Sequence, residues 1–451
     1  MRIVQGVGWY YPDSVGGTEV YVSALARELR AQGHDVLIAA PQAGLEAPRT
    51  YERDGCSVFR YPIPDSPTRG EAQGDAAVRG AEHFHRWLAS ARADVVHLHT
   101  FVTGLGLNEI RAARDAGSRV VVTTHASSLG YICQRGTLMW HGETLCDGRV
   151  DIARCAECAL QHRGAPALAG AALASLPQTF SHAGATLPGK IGTALGMTDL
   201  IERNMRRQRA MFEAIDAFVV LTDHAARIVR TNGAPDGKVV VNRLGVRHEV
   251  VEAAAPRQNP PDDVVRAGYV GRFEDVKGVV DLAEAMRRVP ADVPIRLELR
   301  GPAETSADRD VKARVAALTA SDPRVTIGDA VSPAQVIDLL RTYDVLCCPS
   351  RCLEGGPTVA LEAMAAGVPV VAASVGGVAE VVQDGVNARL VQPGAIDQLT
   401  DALIEIARNP RTTIREWTRK LPSARTMRDV ATDSLVLYAG GARHHAVARP
   451  A

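Results

Sequence analysis

The chain holds 451 residues, 46% of them hydrophobic, with 51 basic side chains balanced by 51 acidic ones. That length is too great for one ordinary hydrophobic core, so two or three domains are expected. A net charge of zero leaves no basic field for nucleic acid, and the longest weakly polar run, Ala165 to Leu176, is too short to span a bilayer.

The opening MRIVQGVGWY reads directly as a strand, with no charged-then-apolar leader, so a cytoplasmic protein is expected. In the first half strands are predicted over Arg2 to Val7, Asp35 to Ala40, Asp94 to His99, Arg119 to His125 and Ala217 to Thr222. Helices are predicted over Thr18 to Gln32, Gly104 to Ala116 and Leu200 to Ile215, with Gly33 ending the first as a left-handed cap. Gly16 and Gly17 precede the first helix and Glu19 sits in its first turn, a pattern that by itself says only that a helix starts here. His97 and His99 alternate on one strand and so share a face, and His125 ends the next strand. Histidines in such places also serve as plain structural hydrogen-bonding groups.

Four of the eight cysteines cluster after that strand, Cys133, Cys146, Cys155 and Cys158, with a C-x12-C-x8-C-x2-C spacing. Four thiols with one close pair suit a tetrahedral structural zinc, and His141 could replace one of them. Two disulfides, an iron–sulfur cluster and four unlinked thiols are the competing readings, disulfides being disfavoured in a reducing cytosol. Cys347 and Cys348 lie in a buried strand, and core packing accounts for them and for Cys56; Cys352 stands beside a glycine loop described below. From Ala159 to Arg203 the chain is rich in small apolar residues and then turns basic at Arg203, Arg206, Arg207 and Arg209. The favoured reading is an amphipathic helical pair packed on the first domain. A lid or membrane-facing flap is the alternative.

Between Gly245 and Pro261 periodicity is lost and proline appears, which marks a domain boundary. Beyond it strands fit Val264 to Val270, Ile295 to Arg300, Arg324 to Ile327, Asp344 to Pro349 and Val368 to Ala373, each followed by a helical stretch. The alternation predicts α/β architecture with parallel sheets covered on both faces, whose ligands bind at the carboxyl ends of the strands. Two such ends carry chemistry. Asp344 to Pro349 runs into Glu354-Gly355-Gly356-Pro357-Thr358 and then a helix, whose free N–H groups and positive dipole end suit an anion such as a diphosphate. Glu362, one turn inside, can accept hydrogen bonds from sugar hydroxyls. Upstream, Gly271-Arg272 and Lys277-Gly278 follow another strand. With 5 lysines against 46 arginines in the chain, Lys277 is not surface filler; it supplies a point charge where Arg272 can fork across phosphate oxygens. Taken alone, any βα turn needs glycine; the two segments together read as one diphosphate clamp.

These motifs, with Glu362-Ala363-Met364-Ala365, Gly367-Val-Pro369-Val-Val and Gly16-Gly17-Thr18-Glu19, resemble the retaining GT-B glycosyltransferases of family 4. The resemblance covers most of the chain, excluding about Cys133 to Arg203 and the tail. It implies two Rossmann-like domains facing a cleft: residues 1–245, with the cysteine-containing insert at about 130–203, and a nucleotide-sugar domain at 246–425. Residues 426–451 would form a helix and tail packing back on the first domain. It further implies glycosyl transfer from a nucleotide diphosphate sugar to a hydroxyl acceptor, with retention through a front-face mechanism. Arg272 and Lys277 would stabilise the leaving diphosphate, aided by the N–H groups of Gly355 to Thr358 and by Gly16, Gly17, Gly271 and Pro357. Glu362 would hold the ribose, Glu354 the donor sugar and His125 a sugar hydroxyl. The cysteine knuckle lies outside the resemblance, and its place after His125 would let it shape the acceptor mouth. No Asp-x-Asp motif accompanies these elements, so no catalytic metal is expected. The acceptor is a small molecule, glycan or lipid-linked sugar, peripheral contact with the inner membrane face is a further expectation, and no nucleic acid is involved. A nucleotide-sugar epimerase, a sugar phosphorylase and an inactive donor-binding scaffold are the alternative functions.

Overall fold

The computed structural model describes residues 1–14, 16–125, 128–253, 264–356 and 358–441. The chain divides into two compact units, the first made of Met1–Arg243 with the segment from Met427 onward, the second of Leu244–Thr426.

The first unit is built on strands Arg2–Gly6 (β1), Asp35–Ala43 (β2), Arg49–Arg53 (β3), Cys56–Ile63 (β4), Val95–Leu98 (β5) and Arg119–Thr123 (β6). A short hairpin, Met139–Trp140 (β7) and Thr144–Leu145 (β8), precedes Ala217–Val220 (β9) and Val239–Val241 (β10). Eight of these form one sheet in the order β10-β9-β6-β5-β1-β2-β4-β3, parallel except where β3 meets β4. The central strands read VVHL, RVVVT and AFVV. Such β-branched runs without polar alternation are what a strand covered on both faces requires. The helix Gly17–Ala31 covers one face through Val22, Leu25 and Leu29, each fully buried. The helix Met427–Tyr438 packs beside it, with Arg428 3.5 Å from Glu28.

The second unit carries Val265–Val270 (β11), Ile295–Arg300 (β12), Val325–Gly328 (β13), Val345–Cys348 (β14), Val370–Ala373 (β15) and Ala388–Val391 (β16). They form a wholly parallel sheet in the order β13-β12-β11-β14-β15-β16. In chain order that is 3-2-1-4-5-6, the doubly wound dinucleotide-binding arrangement. The helix Val279–Arg288 seals one face with Val279, Leu282, Ala283 and Met286, spaced for a single helical face and fully buried. Burying each large side chain of that set stabilises the fold by roughly 1.5–3 kcal/mol.

The sequence reading passes over strands β3, β4, β10 and β16. In β4, CSVFRYPI, an arginine and a proline break the apolar run; Arg60 is nonetheless buried because it donates to the Tyr10 carbonyl at 3.1 Å and pairs with Asp13 at 3.2 Å. The expected helical pair of the insert is instead a hairpin followed by Ile152–His162, Ala167–Ala174, Gln178–Ala185, Gly189–Leu195 and Met197–Ala214. Three of these begin after Pro166, Pro177 and Pro188, whose fixed φ suits a helix entrance and cannot continue the helix before it. No helix among the described residues is long and apolar enough to cross a membrane.

Candidate functional site

In the second unit the chain order reverses between β11 and β14, and the loops after these two strands flank the crevice such a reversal opens. Both predicted motifs lie there. The loops are locked to each other: the Arg351 N–H donates to the Val276 carbonyl at 2.8 Å. Gly278 has φ +70°, and a Cβ there would stand 2.0 Å from the Pro349 carbonyl oxygen, so only glycine lets the two backbones approach. The Tyr269 hydroxyl donates to the Arg272 carbonyl at 2.7 Å and fixes the start of the upstream loop.

The charges on these loops are arranged in pairs. Lys277 Nζ lies 2.9 Å from Glu354 Oε1, and the Ser350 hydroxyl donates to the same oxygen at 2.5 Å. Burial, the largest influence on Lys277, works against its charge, but the Glu354 carboxylate and their hydrogen bond more than offset this, leaving the ammonium raised above its ordinary value. Arg272 is more exposed and pairs with Glu274 at 3.1 Å. Glu362 sits one turn inside the helix Thr358–Ala365, mostly buried. Its carboxyl is pushed up by burial, against the opposing effect of Arg247 3.6 Å away. Gly356 has φ +123°, and the Gly377 N–H donates to the Glu354 carbonyl at 3.0 Å. Pro357 lies outside the described residues. The structure thus brings Lys277 and Glu354 into contact and leaves Arg272 and Glu362 with partners of their own. Sequence reasoning passed over Ser350, Arg247 and Gly376-Gly377. The paired glycines were visible in VGGVAE, whereas Arg247 falls in the stretch where periodicity is lost. The chain's Asp-x-Asp, Asp308 and Asp310, opens the helix Ser306–Thr319, and Asp308 is engaged in its capping box.

In the first unit the reversal lies between β1 and β5. Register places Gln5 opposite His97, and His99 and Thr123 fall on the same face. These polar groups form a buried chain. His97 Nδ1 is 2.6 Å from the Tyr438 hydroxyl and its Nε2 is 2.7 Å from Thr123 Oγ1. His99 Nε2 is 2.6 Å from Gln5 Oε1, and its Nδ1 is 3.1 Å from His125 Nε2. Gln5 Nε2 donates to the Tyr438 hydroxyl at 3.4 Å, so its carbonyl oxygen must accept from His99 Nε2–H. His99 Nδ1 then accepts from His125 Nε2–H, which makes His125 Nδ1 an acceptor with no hydrogen-bond partner among the described residues. Burial holds all three imidazoles neutral, His97 down to about 3 and His125 to about 4, with His99 well below its ordinary value. The Tyr21 ring, on the helix that Gly16 and Gly17 start, packs edge-on against His125 with centroids 4.6 Å apart. A Cβ at Gly16 would come within 2.8 Å of the Glu19 carboxylate, the far end of a side chain that can shift, and Gly17 borders open space.

A cavity of about 610 Å³ in the same unit is lined by Trp9, Phe101, Asn108, Tyr131, Asn204 and Arg207 among others. Arg207 donates to the Tyr131 hydroxyl at 3.2 Å and lies over its ring. Cys133, Cys146, Cys155 and Cys158 all line a separate cavity of about 30 Å³, and all carry free thiols. Among the described residues no group of three or more His, Cys, Asp and Glu is placed to hold a metal ion as it stands. His141 is hydrogen-bonded to Gln161. Cys347, Cys348 and Cys352 are buried.

Residues 16–245 match the family described as "Glycosyl transferase 4-like domain", and residues 251–421 match "Glycosyl transferases group 1". The D-inositol 3-phosphate glycosyltransferase of Kribbella flavida is 33% identical over 221 residues, covering 46% of this chain and 51% of the relative. The chain thus spans about half the length of the curated relatives it matches. Among solved structures, the sucrose-phosphate synthase of Thermosynechococcus elongatus aligns over 98% of this chain and 99% of its own, with TM-score 0.64 and 19% identity. The Anabaena protein HepE, solved in complex with UDP and glucose, aligns over 97% and 95%, with TM-score 0.58 and 15% identity. These likenesses show the GT-B fold. With its two matched segments together running from residue 16 to residue 421, the chain belongs to the group 1 glycosyltransferases of that fold.

Proposed function

We propose that the protein transfers a glycosyl group from a nucleotide diphosphate sugar to a hydroxyl acceptor, with retention at the anomeric carbon. The observation that carries this is the Lys277–Glu354 pair, held between two interlocked loops at the reversal point of a doubly wound sheet. An arriving diphosphate competes with Glu354 for the Lys277 ammonium. Glu354, released from it, accepts a hydroxyl of the donor sugar. Lys277 and Arg272 then balance charge growing on the departing diphosphate, together with the N–H groups of Gly355, Gly356 and Thr358 and the helix dipole behind them. Gly271 lets the upstream loop approach, and Gly16 and Gly17 leave room for phosphate on the first unit. Glu362, drawn from Arg247, accepts the ribose hydroxyls. His125 offers its Nδ1 acceptor to a sugar hydroxyl. The departing diphosphate takes the acceptor proton on the same face, and no divalent cation is needed for the step.

UDP is the first donor base to test, since HepE is a structural neighbour solved with UDP. The acceptor occupies the cavity beside Tyr131 and Arg207. Leu168, Phe180 and Ile191 stand largely exposed on the insert helices, which supports peripheral contact with a lipid surface carrying that acceptor. Cosedimentation with vesicles, abolished by Phe180→Ser with Ile191→Ser, tests it. The family matches are to glycosyl transferases, and the epimerase and phosphorylase readings are not favoured. A panel of UDP, GDP, dTDP and ADP sugars, read by thermal shift and by donor turnover with EDTA present, tests the main reading. One base is expected to stabilise the wild type and not Arg272→Ala or Glu362→Ala. Equal responses from all three proteins would remove its basis.

A further inference from the structure

The insert brings four distant cysteines to one small cavity. Cys133 stands in a turn, its N–H donating to the Ser128 carbonyl at 3.0 Å and its carbonyl accepting from Gly136 at 3.2 Å. Cys146 closes the β7–β8 hairpin, its N–H donating to the Leu138 carbonyl at 2.8 Å. Cys155 and Cys158 lie three residues apart on the helix Ile152–His162, which Asp151 caps by accepting the Arg154 N–H. The Gly148 N–H points at Cys146 Sγ, 3.4 Å away. A cavity of about 30 Å³ has no room for an organic ligand and is ample for one ion.

We propose that Cys133, Cys146, Cys155 and Cys158 are the ligands of a structural zinc ion that closes the insert and fixes one wall of the larger cavity. Zinc replaces four thiol protons, which pass to solvent, and forms four Zn–S bonds of about 2.3 Å without any change of oxidation state. The tetrathiolate site then carries a net charge of minus two. Arg135 and Arg149 line the same cavity and supply the opposing charge. In the structure as it stands the thiols surround the space without forming a cage. Closure on an ion requires the cysteine side chains to turn inward, each about its one side-chain torsion, with Cys158 Sγ leaving the Met139 carbonyl. Cys133 also lines the 610 Å³ cavity beside Tyr131 and Gln134. Metal binding therefore anchors that wall, whichever acceptor the cavity takes.

The test is elemental analysis of the full chain purified under reducing conditions, with zinc release followed as an organomercurial is titrated in. The proposal expects one zinc per chain, released as the four cysteines take up the organomercurial, and at least tenfold weaker zinc retention against a chelator in Cys155→Ser. Cys56→Ser, remote from the insert, should retain the metal. Should Cys155→Ser fail to fold, cobalt(II) titration of metal-stripped wild type decides the matter through its thiolate charge-transfer absorption. Iron with acid-labile sulfide, zinc retained equally by Cys155→Ser, or stripped wild type that takes up neither zinc nor cobalt would each overturn the assignment. None of these readouts depends on donor binding, so failure here and failure of the glycosyl-transfer reading are separable.

Discussion

Lowering the pH from 7.5 to 5.5 should destabilise the first unit through its buried histidine chain. His97, His99 and His125 are held neutral by burial, with folded values far below the ordinary 6.5. In the unfolded chain each regains that value and takes up a proton as pH falls. The contribution is therefore fully present above 6.5 and is lost on the way down to the folded values of about 3 and about 4 for His97 and His125. Over this interval each histidine should cost about 1.4 kcal/mol, the free energy of one pH unit. Three together approach ~4 kcal/mol, a large share of a stability of order 5–15 kcal/mol. His34 and His162, lowered chiefly by burial, act in the same direction. Urea titrations at the two pH values, followed by tryptophan fluorescence, give the measurement, because three of the four tryptophans, Trp9, Trp87 and Trp140, belong to the first unit, and Trp417→Phe removes the signal of the second. His125→Asn should remove about a third of the pH dependence. Equal stability at the two pH values would refute the neutral, buried assignment.

Lys277→Ala should reduce donor turnover by 10²–10³-fold, the usual effect of losing one transition-state donor, while a circular dichroism spectrum shows the fold retained. Gly278→Ala places a Cβ 2.0 Å from the Pro349 carbonyl oxygen at φ +70°, so it should lower stability by more than about 1 kcal/mol and weaken nucleotide binding measured by calorimetry. Tyr438→Phe deprives His97 and Gln5 of a buried partner; a stability loss of about 1–3 kcal/mol is expected, with kcat reduced more than KM if the chain orients His125.

Most of the architecture was legible because two-sided burial leaves a plain mark: VVHL, VLCC and VVAA can be little else than central parallel strands. Both glycine loops were legible for the same reason, since each follows such a strand. What escaped was structure whose cause lies elsewhere in space. Arg60 sits in the middle of a strand because Asp13 and the Tyr10 carbonyl, far away in sequence, receive it. The insert helices escaped because alanine and glycine give no apolar stripe, although prolines at 166, 177 and 188 punctuate them at an even spacing.

The charge pairing of the candidate site was hidden in another way. Sequence assigns Lys277 to phosphate and Glu354 to sugar as separate roles, and only three-dimensional placement shows each neutralising the other at 2.9 Å. That arrangement has a chemical logic. A lysine left bare beside so much buried surface would be costly, and a glutamate beside an incoming diphosphate would repel it. Pairing removes the first problem while no donor is bound. On the proposed reading the second is met by charge balance, because Lys277 and Arg272 together face the diphosphate while Glu354 turns to a sugar hydroxyl. Arg247 stands to Glu362 in the same relation at 3.6 Å. Both glutamates assigned to donor hydroxyls are thus held by cations near the place where the ligand arrives. Donor affinity should accordingly rise when Arg247 is replaced by a neutral side chain, provided that the ribose hydroxyls compete with it for Glu362. Calorimetry on Arg247→Met with the preferred nucleotide decides between that outcome and a supporting role for Arg247, in which affinity would fall.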